Sequence, residues 1–287
     1  MSREVTRIAV IGAGTMGHGI AQVAAMAGLS VTLVDITEDA LSAALARIRS
    51  NLDEGVRRGK VSESVREAAL AKLSTDTNLA NAVHGVDLVI EAVPERLELK
   101  KQVFSELERH APASAMLATN TSSLSITEIQ TGVREAGRVL GLHFFNPVHI
   151  NALVEVVRGE RTDPDVVDAG VEFARRLGKE PIVVKDSPGF ASSRLGVLLG
   201  LEAMRMLEEG VATAEAIDKA MEIGYRHPMG PLRLTDLVGL DVRLDIARYL
   251  HSTLGGDRFR PPAILERLVA EGHLGKKTGR GFYTWNE

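Results

Sequence analysis

Residues 7–17 decide the fold of the first part of the chain and read Arg7-Ile8-Ala9-Val10-Ile11-Gly12-Ala13-Gly14-Thr15-Met16-Gly17. The segment 8–11 is a short apolar run rich in β-branched side chains, which favours a strand. Glycines follow it and favour a turn, and residues 16–26 are typical of a helix. The order of strand, glycine-rich turn and helix predicts an α/β domain of the Rossmann type.

The spacing of the glycines, G-x-G-x-x-G, predicts a dinucleotide-binding turn. Gly12 would permit the tight bend, Gly14 would let a pyrophosphate approach the backbone, and Gly17 would let the helix pack closely on the strand. The free N–H groups at the start of the helix would receive the diphosphate. We therefore expect this turn to bind the cofactor through Gly12, Gly14, Thr15, Met16 and Gly17.

The second predicted strand, residues 31–34, ends in Asp35. A carboxylate at this distance from the glycine turn accepts hydrogen bonds from the hydroxyls of an adenosine ribose. It would repel the 2′-phosphate of NADP, and the next charged residues, Glu38 and Asp39, are acidic as well. The sequence therefore predicts NAD as the cofactor.

Composition excludes several classes of chemistry and of partner. The 287 residues contain no cysteine, which excludes thiol nucleophiles, disulfides and cysteine-ligated metals. The net charge of −4 gives no sign of nucleic-acid or anionic-membrane binding. No secretory signal pattern and no apolar run long enough to span a bilayer is found, so we expect a cytoplasmic protein with no membrane partner. We also expect no metal, because His143 and Glu155 can manage a proton and a dinucleotide can accept the hydride.

The charged, alanine-rich segment 37–73 predicts two helices in an antiparallel hairpin that is broken near Gly59. Its apolar residues recur at helical spacing: Leu41, Leu45, Ile48 and Leu52. A dinucleotide fold does not need this insertion. It is either a solvent-covered excursion or an arm that contacts a substrate through Arg58 and Lys60.

Polar residues follow two further predicted strands, at the edge of the sheet where ligands bind in such folds. The strand in residues 86–95 ends near Glu95, and the strand 116–119 is followed by Asn120 and Ser122. Small polar residues after a strand can instead cap the next helix. Capping is the favoured interpretation for Ser123, whereas capping and function are equally open for Asn120 and Ser122.

His143 and Glu155 lie in two further apolar strands, within residues 139–147 and 153–157. A lone histidine in an apolar strand is more often a core residue with its hydrogen bonds satisfied. Here His143 lies at the edge where the nicotinamide should arrive, and a buried Glu155 needs a partner because desolvating it alone is costly. The two residues therefore predict a general acid/base pair.

The strand pattern stops after residues 181–184, and the remainder reads as helical. We expect domains at residues 1–186 and 187–287, of which the first would bind NAD. The predicted helices of the second domain are residues 194–209, 214–223, 240–254 and 263–271, with a Pro-Met-Gly-Pro turn at 228–231.

Several stretches together resemble the L-3-hydroxyacyl-CoA dehydrogenase family, in the family's order and over nearly the whole chain. They are residues 12–17, 91–95, 120–123, 141–147, 153–157, 186–190, 228–231 and 275–283. The His-Phe-Phe-Asn-Pro block at residues 143–147 is far more specific than the glycine motif. The resemblance implies reversible, NAD-dependent oxidation of an L-3-hydroxyacyl-CoA, with a short acyl chain such as 3-hydroxybutyryl, by a homodimer. It also implies that the helical domain 187–287 serves dimerisation and substrate binding.

The resemblance also implies roles for individual residues. His143 would be the catalytic base, Glu155 its orienting partner and Ser122 a hydrogen-bonding group at the substrate hydroxyl. The residues that would contact NAD are Asp35, Glu95, Lys100, Asn120, Asn146 and Lys277. The inserted hairpin would meet coenzyme A and so give Arg58 and Lys60 an anionic partner.

One position departs from the family pattern. Where the family has Val-Asn-Arg after Pro-Gly-Phe, this chain has Ser192-Ser193-Arg194. Ser193 therefore replaces an asparagine that helps to polarise the substrate, and a serine is shorter and has a single donor. Two other functions stay open: a related hydroxyacid or sugar-acid dehydrogenase without a CoA substrate, and a non-catalytic NAD-binding protein.

Overall fold

A computed structural model describes residues 4–285 of the chain. The chain divides into two compact units, and the division falls between Ser187 and Pro188. The first unit contains a single sheet with helices and the inserted helical hairpin, and the second is helical. The predicted fold class, a Rossmann-type domain followed by an all-α domain, is confirmed.

In the described part of the first unit, the sheet has eight strands in the order β3-β2-β1-β4-β5-β6-β7-β8. They are β1 (Arg7–Ile11), β2 (Ser30–Val34), β3 (Leu73–Asp76), β4 (Leu88–Glu91), β5 (Met116–Thr119), β6 (Val139–Phe144), β7 (Leu153–Arg158) and β8 (Glu180–Lys185). Every neighbouring pair is parallel except β6 and β7, which are antiparallel. The carboxyl ends of the first six strands therefore meet at one edge, where the candidate site lies.

The helices of the first unit are α1 (Gly17–Met26), α2 (Glu38–Arg57), α3 (Glu63–Ala71), α4 (Leu79–Ala82), α5 (Leu97–His110), α6 (Ile126–Ile129) and α7 (Pro164–Arg176). The predicted hairpin is the pair α2 and α3. Thr37 caps the first of these helices by accepting from Ala40 N at 3.2 Å, and Ser62 caps the second by accepting from Val65 N at 3.2 Å. Both helices bury apolar residues against the core that α1 shares with the sheet.

One strand of the sheet was missed by the sequence prediction. β3 follows α3 directly and pairs with β2, with Val31 beside Leu73 and Val34 beside Asp76. Its sequence, Leu-Ser-Thr-Asp, lacks the apolar alternation of a typical strand, and the strand lies partly buried at the edge of the sheet.

The second unit comprises α8 (Ser192–Glu208), α9 (Ala214–Lys219), α10 (Pro231–Val238), α11 (Leu240–Leu254) and α12 (Ala263–Ala270). Helix α11 has the predicted bounds. The predicted helix 214–223 is α-helical only in α9, and the chain then forms a π-helical segment, Ala220–Gly224. Helix α10 was missed, because Pro231 was assigned to a turn although proline is favoured at the first position of a helix. Of the helices between residues 4 and 285, none combines the length and apolar composition needed to cross a bilayer.

Candidate active site

The glycine-rich turn between β1 and α1 has the geometry that each glycine requires. Gly12 has a φ of +101°, and a Cβ there would lie 2.7 Å from the carbonyl oxygen of Ala92. A Cβ on Gly17 would lie 1.7 Å from the carbonyl oxygen of Gly12, so the helix packs against the turn only because side chains are absent. A Cβ on Gly14 would meet no heavy atom within 4 Å, which leaves the backbone there open to a ligand.

Asp35 is fixed against this turn. Its Oδ2 accepts a hydrogen bond from Ala13 N at 2.7 Å, and its Oδ1 accepts from Ile36 N at 2.8 Å. Gly12 N also donates to the carbonyl oxygen of Val34 at 2.7 Å, which ties the end of β2 to the turn. A carboxylate that is oriented in this way holds its remaining lone pairs ready for donors from a ligand.

The turn and Asp35 border a cleft of about 690 Å³ within the first unit. Its other lining residues include Ile36, Leu79, Leu99 and Val103, which are apolar. Met16 precedes α1 without capping it through its side chain, so the positive end of the helix faces the turn uncapped. These features fit NAD. The open backbone of the turn can receive a diphosphate, the Asp35 carboxylate can bind a ribose, and the apolar walls can hold an adenine.

Glu91, at the end of β4, is the centre of a buried polar network. Its Oε1 accepts from Lys100 Nζ and from Val93 N, both at 2.7 Å, and its Oε2 accepts from Thr119 Oγ1 at 2.7 Å. Burial raises the pKa of Glu91, while the charge of Lys100 and these hydrogen bonds act to lower it. Sequence reasoning missed Glu91, although a carboxylate in a strand of sequence Leu-Val-Ile-Glu was the same signal that singled out Glu155.

Lys100 lies inside the protein, with only 1% of its surface exposed. Besides Glu91, its Nζ contacts the carbonyl oxygen of Val93 at 3.3 Å and Glu95 Oε2 at 3.4 Å. Glu95 in turn accepts from Ser122 N at 3.0 Å and from the hydroxyl of Thr121. The structure therefore joins Lys100, Glu95 and Ser122, three of the predicted site residues, in one network at the carboxyl edge of β4 and β5.

Asn120 and Ser122 do not cap the following helix. The cap of α6 is Ser125, whose Oγ accepts from Glu128 N at 3.2 Å, so the capping role predicted for Ser123 was wrong. The amide oxygen of Asn120 accepts from Phe144 N at 2.9 Å, which joins the end of β5 to the end of β6. Of the two interpretations of Asn120 and Ser122, capping is excluded.

His143 and Glu155 are directly opposite residues of the antiparallel pair β6 and β7. The distance from His143 Nδ1 to Glu155 Oε2 is 2.7 Å. Glu155 is fully buried and His143 is 5% exposed, and the ring of Phe145 lies 4.3 Å from the imidazole, centroid to centroid. A histidine held through one ring nitrogen by a buried carboxylate is oriented for proton transfer at the other nitrogen.

The loop after β6 carries Asn146, which is exposed and precedes Pro147 through a cis peptide bond. The carbonyl oxygen of Asn146 accepts from Asn151 Nδ2 at 2.8 Å. A Cβ on Gly19 would lie 2.9 Å from the side chain of Val148, so α1 packs closely on this loop. The loop is thereby fixed against the helix whose first turn borders the cleft.

The remaining predicted residues lie elsewhere. Arg58 pairs with Glu54 at the exposed end of α2, and Lys60 is exposed in the loop before α3. Ser193 occupies the first turn of α8 in the second unit. Lys277, also in the second unit, places its Nζ 2.6 Å from both carboxylate oxygens of Asp241.

The comparison with known families gives two adjacent matches. Residues 7–187 match the family described as 3-hydroxyacyl-CoA dehydrogenase, NAD binding domain, and residues 189–285 match its C-terminal domain. The chain belongs to the 3-hydroxyacyl-CoA dehydrogenase family. The predicted family, the predicted enzyme class of NAD-dependent oxidoreductase and the predicted cofactor are confirmed.

Similar proteins cover the whole chain. A 3-hydroxybutyryl-CoA dehydrogenase of Mycobacterium tuberculosis is 45% identical over 99% of this chain and 100% of its own length. A 3-hydroxyadipyl-CoA dehydrogenase of Escherichia coli is 44% identical over 99% of this chain, which spans 60% of that protein. The crystal structure of (S)-3-hydroxybutyryl-CoA dehydrogenase from Ralstonia eutropha covers 99% of this chain and 100% of its own, with 38% identity and a TM-score of 0.95.

Proposed function

We propose that the chain catalyses reversible oxidation of the 3-hydroxyl group of a short L-3-hydroxyacyl-CoA, such as 3-hydroxybutyryl-CoA, with NAD. The observation that carries the proposal is the pair of His143 and Glu155, with 2.7 Å between Nδ1 and Oε2, on the strand that ends at the ligand-binding edge of a dinucleotide fold. Relatives with full-length similarity carry the name of this reaction.

His143 acts as the base in the oxidative direction. Because Nδ1 is committed to Glu155, Nε2 takes the proton of the substrate hydroxyl, and the imidazolium that forms is stabilised by the buried carboxylate. NAD, when bound, supplies the hydride acceptor. Proton transfer by a positioned group contributes about 10²- to 10⁴-fold to such a rate, so positioning of the substrate must contribute the remainder.

Ser122 and Ser193 are proposed as hydrogen-bond donors to the substrate oxygen. The Ser122 backbone is held by Glu95, which fixes the position of its hydroxyl relative to the edge of the sheet. Donors aimed at an oxygen that gains negative charge during the reaction lower the barrier in either direction.

For NAD, the proposed contacts are the glycine turn, Asp35, Glu95, Asn120, Asn146 and Lys277. The sequence resemblance implies that Lys100 contacts NAD, but its ammonium group is buried among Glu91, Val93 and Glu95. We therefore propose that Lys100 positions Glu91 and Glu95 and does not contact the cofactor itself. Arg58 and Lys60 are proposed to meet the phosphates of coenzyme A, which is supported by their exposure on the inserted hairpin.

A homodimer through the second unit is part of the proposal. Three helices there that pack against one another carry large apolar side chains that are exposed in the single chain: Leu195, Leu199, Leu234, Leu237, Val238 and Val242. Exposed apolar side chains on neighbouring helices support an interface with a second copy. The cytoplasmic location remains a prediction from the sequence.

The proposal is tested by measuring NADH consumption with acetoacetyl-CoA, beside acetoacetate and a longer 3-ketoacyl-CoA. We expect turnover of the thioesters and none of free acetoacetate, because the CoA group supplies binding energy. Turnover of free acetoacetate alone would favour a hydroxyacid or sugar-acid dehydrogenase without a CoA substrate. Tight NADH binding with no turnover of any thioester would favour a non-catalytic protein.

A further inference from the structure

Lys179 follows α7 and is buried in the first unit, with only 8% of its surface exposed. Gly178, at a φ of +70°, ends the helix, and Lys179 N donates to the carbonyl oxygen of Ala174 at 3.0 Å. This is the helix end in which a glycine turns the chain and the next residue bonds back to the last helical turn. The backbone of Lys179 is therefore fixed to α7.

Within residues 4–285, the ammonium group of Lys179 bonds to backbone carbonyl groups and pairs with no carboxylate. Its Nζ donates to the carbonyl oxygen of Asn151 at 2.7 Å and to the carbonyl oxygen of Val148. Burial lowers the pKa of Lys179, and no neighbouring charge opposes this effect. A buried charge without a counter-charge is costly, so the loop that carries these two carbonyl groups is where the charge acts.

The loop held in this way carries Asn146, a proposed contact of NAD. Asn146 comes three residues after His143, at the end of β6, where the nicotinamide would meet the base. Asn151 donates through Nδ2 to the carbonyl oxygen of Asn146 at 2.8 Å, and through its backbone N–H to that of Pro147 at 2.9 Å. Two hydrogen bonds in series, both made by Asn151, therefore join the ammonium group of Lys179 to the backbone of Asn146.

The loop is also held by α1. Val148 is 2% exposed, and a Cβ on Gly19 would lie 2.9 Å from its side chain. This packing restrains the side chain of Val148, whereas Lys179 restrains the backbone at Val148 and at Asn151. Without Lys179, the contact with α1 would still hold the loop near the helix, but the turn that ends in Asn151 would lose its anchor.

We propose that Lys179 is a positioning residue for the nicotinamide end of NAD, because it fixes Asn146 through Asn151. The inference rests on the proposed function, which takes Asn146 to contact the cofactor. Hydride transfer needs the reacting carbons close together and aligned, and a misplacement of about 1 Å can cost about 100-fold in rate. The glycine turn and Asp35 lie outside this loop and would still bind the rest of the cofactor. Loss of Lys179 should therefore lower kcat and leave NADH affinity nearly unchanged.

The test compares Lys179→Met and Asn151→Ala with the unsubstituted protein in NADH-dependent reduction of acetoacetyl-CoA. Lys179→Met breaks the first of the two hydrogen bonds, and Asn151→Ala breaks the second while it leaves the lysine and its carbonyl acceptors in place. We expect kcat to fall by about 10- to 100-fold in both variants. The dissociation constant of NADH, measured by fluorescence titration, should stay within a few-fold.

A double-mutant cycle tests whether Lys179 acts through Asn146. The variants Lys179→Met and Asn146→Ala and the double variant are compared by kcat. If the lysine acts by fixing Asn146, the double variant should be no slower than the slower single variant. Losses that multiply would mean that Lys179 acts by another route, which would overturn the inference.

Two further lysine variants serve as controls. Lys179→Arg keeps the charge and the donors, and Lys179 borders a cavity of about 370 Å³ that gives the larger group room. It should therefore retain more of kcat than Lys179→Met. Lys185 is exposed at the end of β8, so Lys185→Met should leave kcat unchanged.

An unchanged kcat in Asn151→Ala, or in a folded Lys179→Met, would overturn the inference and leave the proposed function standing. Equal losses of kcat and of NADH affinity would overturn it too, because the lysine would then support the whole cofactor site. If Lys179→Met does not fold, kcat and NADH affinity in Asn151→Ala decide. Failure of the unsubstituted protein to reduce acetoacetyl-CoA would instead refute the proposed function.

Discussion

His143 and Glu155 are a directly opposed pair on β6 and β7, the one antiparallel pair of strands within residues 4–285, with 2.7 Å between Nδ1 and Oε2. Because side chains alternate across a strand, a register slip of one residue would carry Glu155 to the other face of the sheet. The contact is therefore fixed by the strand pairing, and no flexible loop is needed to form it. Glu155 is also sealed from water, which strengthens its attraction for an imidazolium.

His143→Gln should lower kcat by about 10²- to 10⁴-fold, because it removes the group that exchanges the hydroxyl proton. NADH affinity, measured by fluorescence titration, should stay within a few-fold, since the glycine turn and Asp35 are untouched. Retention of most of kcat would rule out His143 as the base.

Glu155→Gln should lower kcat by roughly 100-fold while leaving the fold intact, because glutamine has the same shape but cannot stabilise an imidazolium. The substituted amide can also donate to Nδ1 and so favour the wrong tautomer. Steady-state kinetics and circular dichroism are the measurements. Glu180→Gln is the control, because Glu180 is exposed on the adjacent strand β8 and its substitution should have no effect on kcat.

Asp35→Asn should weaken NADH binding by about 10- to 100-fold, the effect of removing charge from an acceptor of ribose hydroxyls. It should also reduce the discrimination against NADPH, because the negative charge that repels the 2′-phosphate is lost. Calorimetric titration with both cofactors measures the two effects. Asp39→Asn is the control, since Asp39 lies in the first turn of α2 and not in the cleft.

Most of the architecture could be predicted because its signals are local. Periodicity and turn residues within about a dozen positions are enough to predict the glycine turn, the apolar strands and helix α11. β3 could not be found in this way, because its pairing with β2 is a long-range contact and its sequence is that of a solvated edge. The sequence prediction missed α10 because a proline such as Pro231 is typical both of a turn and of the first position of a helix.

The site was predictable in part for the same reason. His143 and Glu155 stood out as polar residues in apolar strands, and the register of β6 and β7 joined them. The contact between Glu91 and Lys100 could not be predicted from the sequence. Nothing local shows that a lysine on α5 buries its ammonium group against the end of β4.

Glu91→Gln should destabilise the protein by about 3–5 kcal/mol, because it leaves the buried ammonium group of Lys100 without its nearest carboxylate. Lys100→Met should be destabilising for the converse reason. The double variant should recover much of the loss, since removal of both charges removes the uncompensated one. Urea unfolding of the four proteins measures the cycle, and additive losses would mean that the two charges do not depend on each other.

Ser193→Asn tests the departure from the family pattern. An asparagine side chain reaches further than serine and carries two amide donors, so we expect a higher kcat on acetoacetyl-CoA in the variant. The gain should lie in kcat more than in KM, because a donor aimed at the developing oxyanion acts mainly in the transition state. Ser192→Asn is the matched control, since it adds the same side chain one position earlier, on a different face of α8. A loss of activity in Ser193→Asn alone would show that the substrate site has adapted to serine, which would leave Ser122 as the main donor.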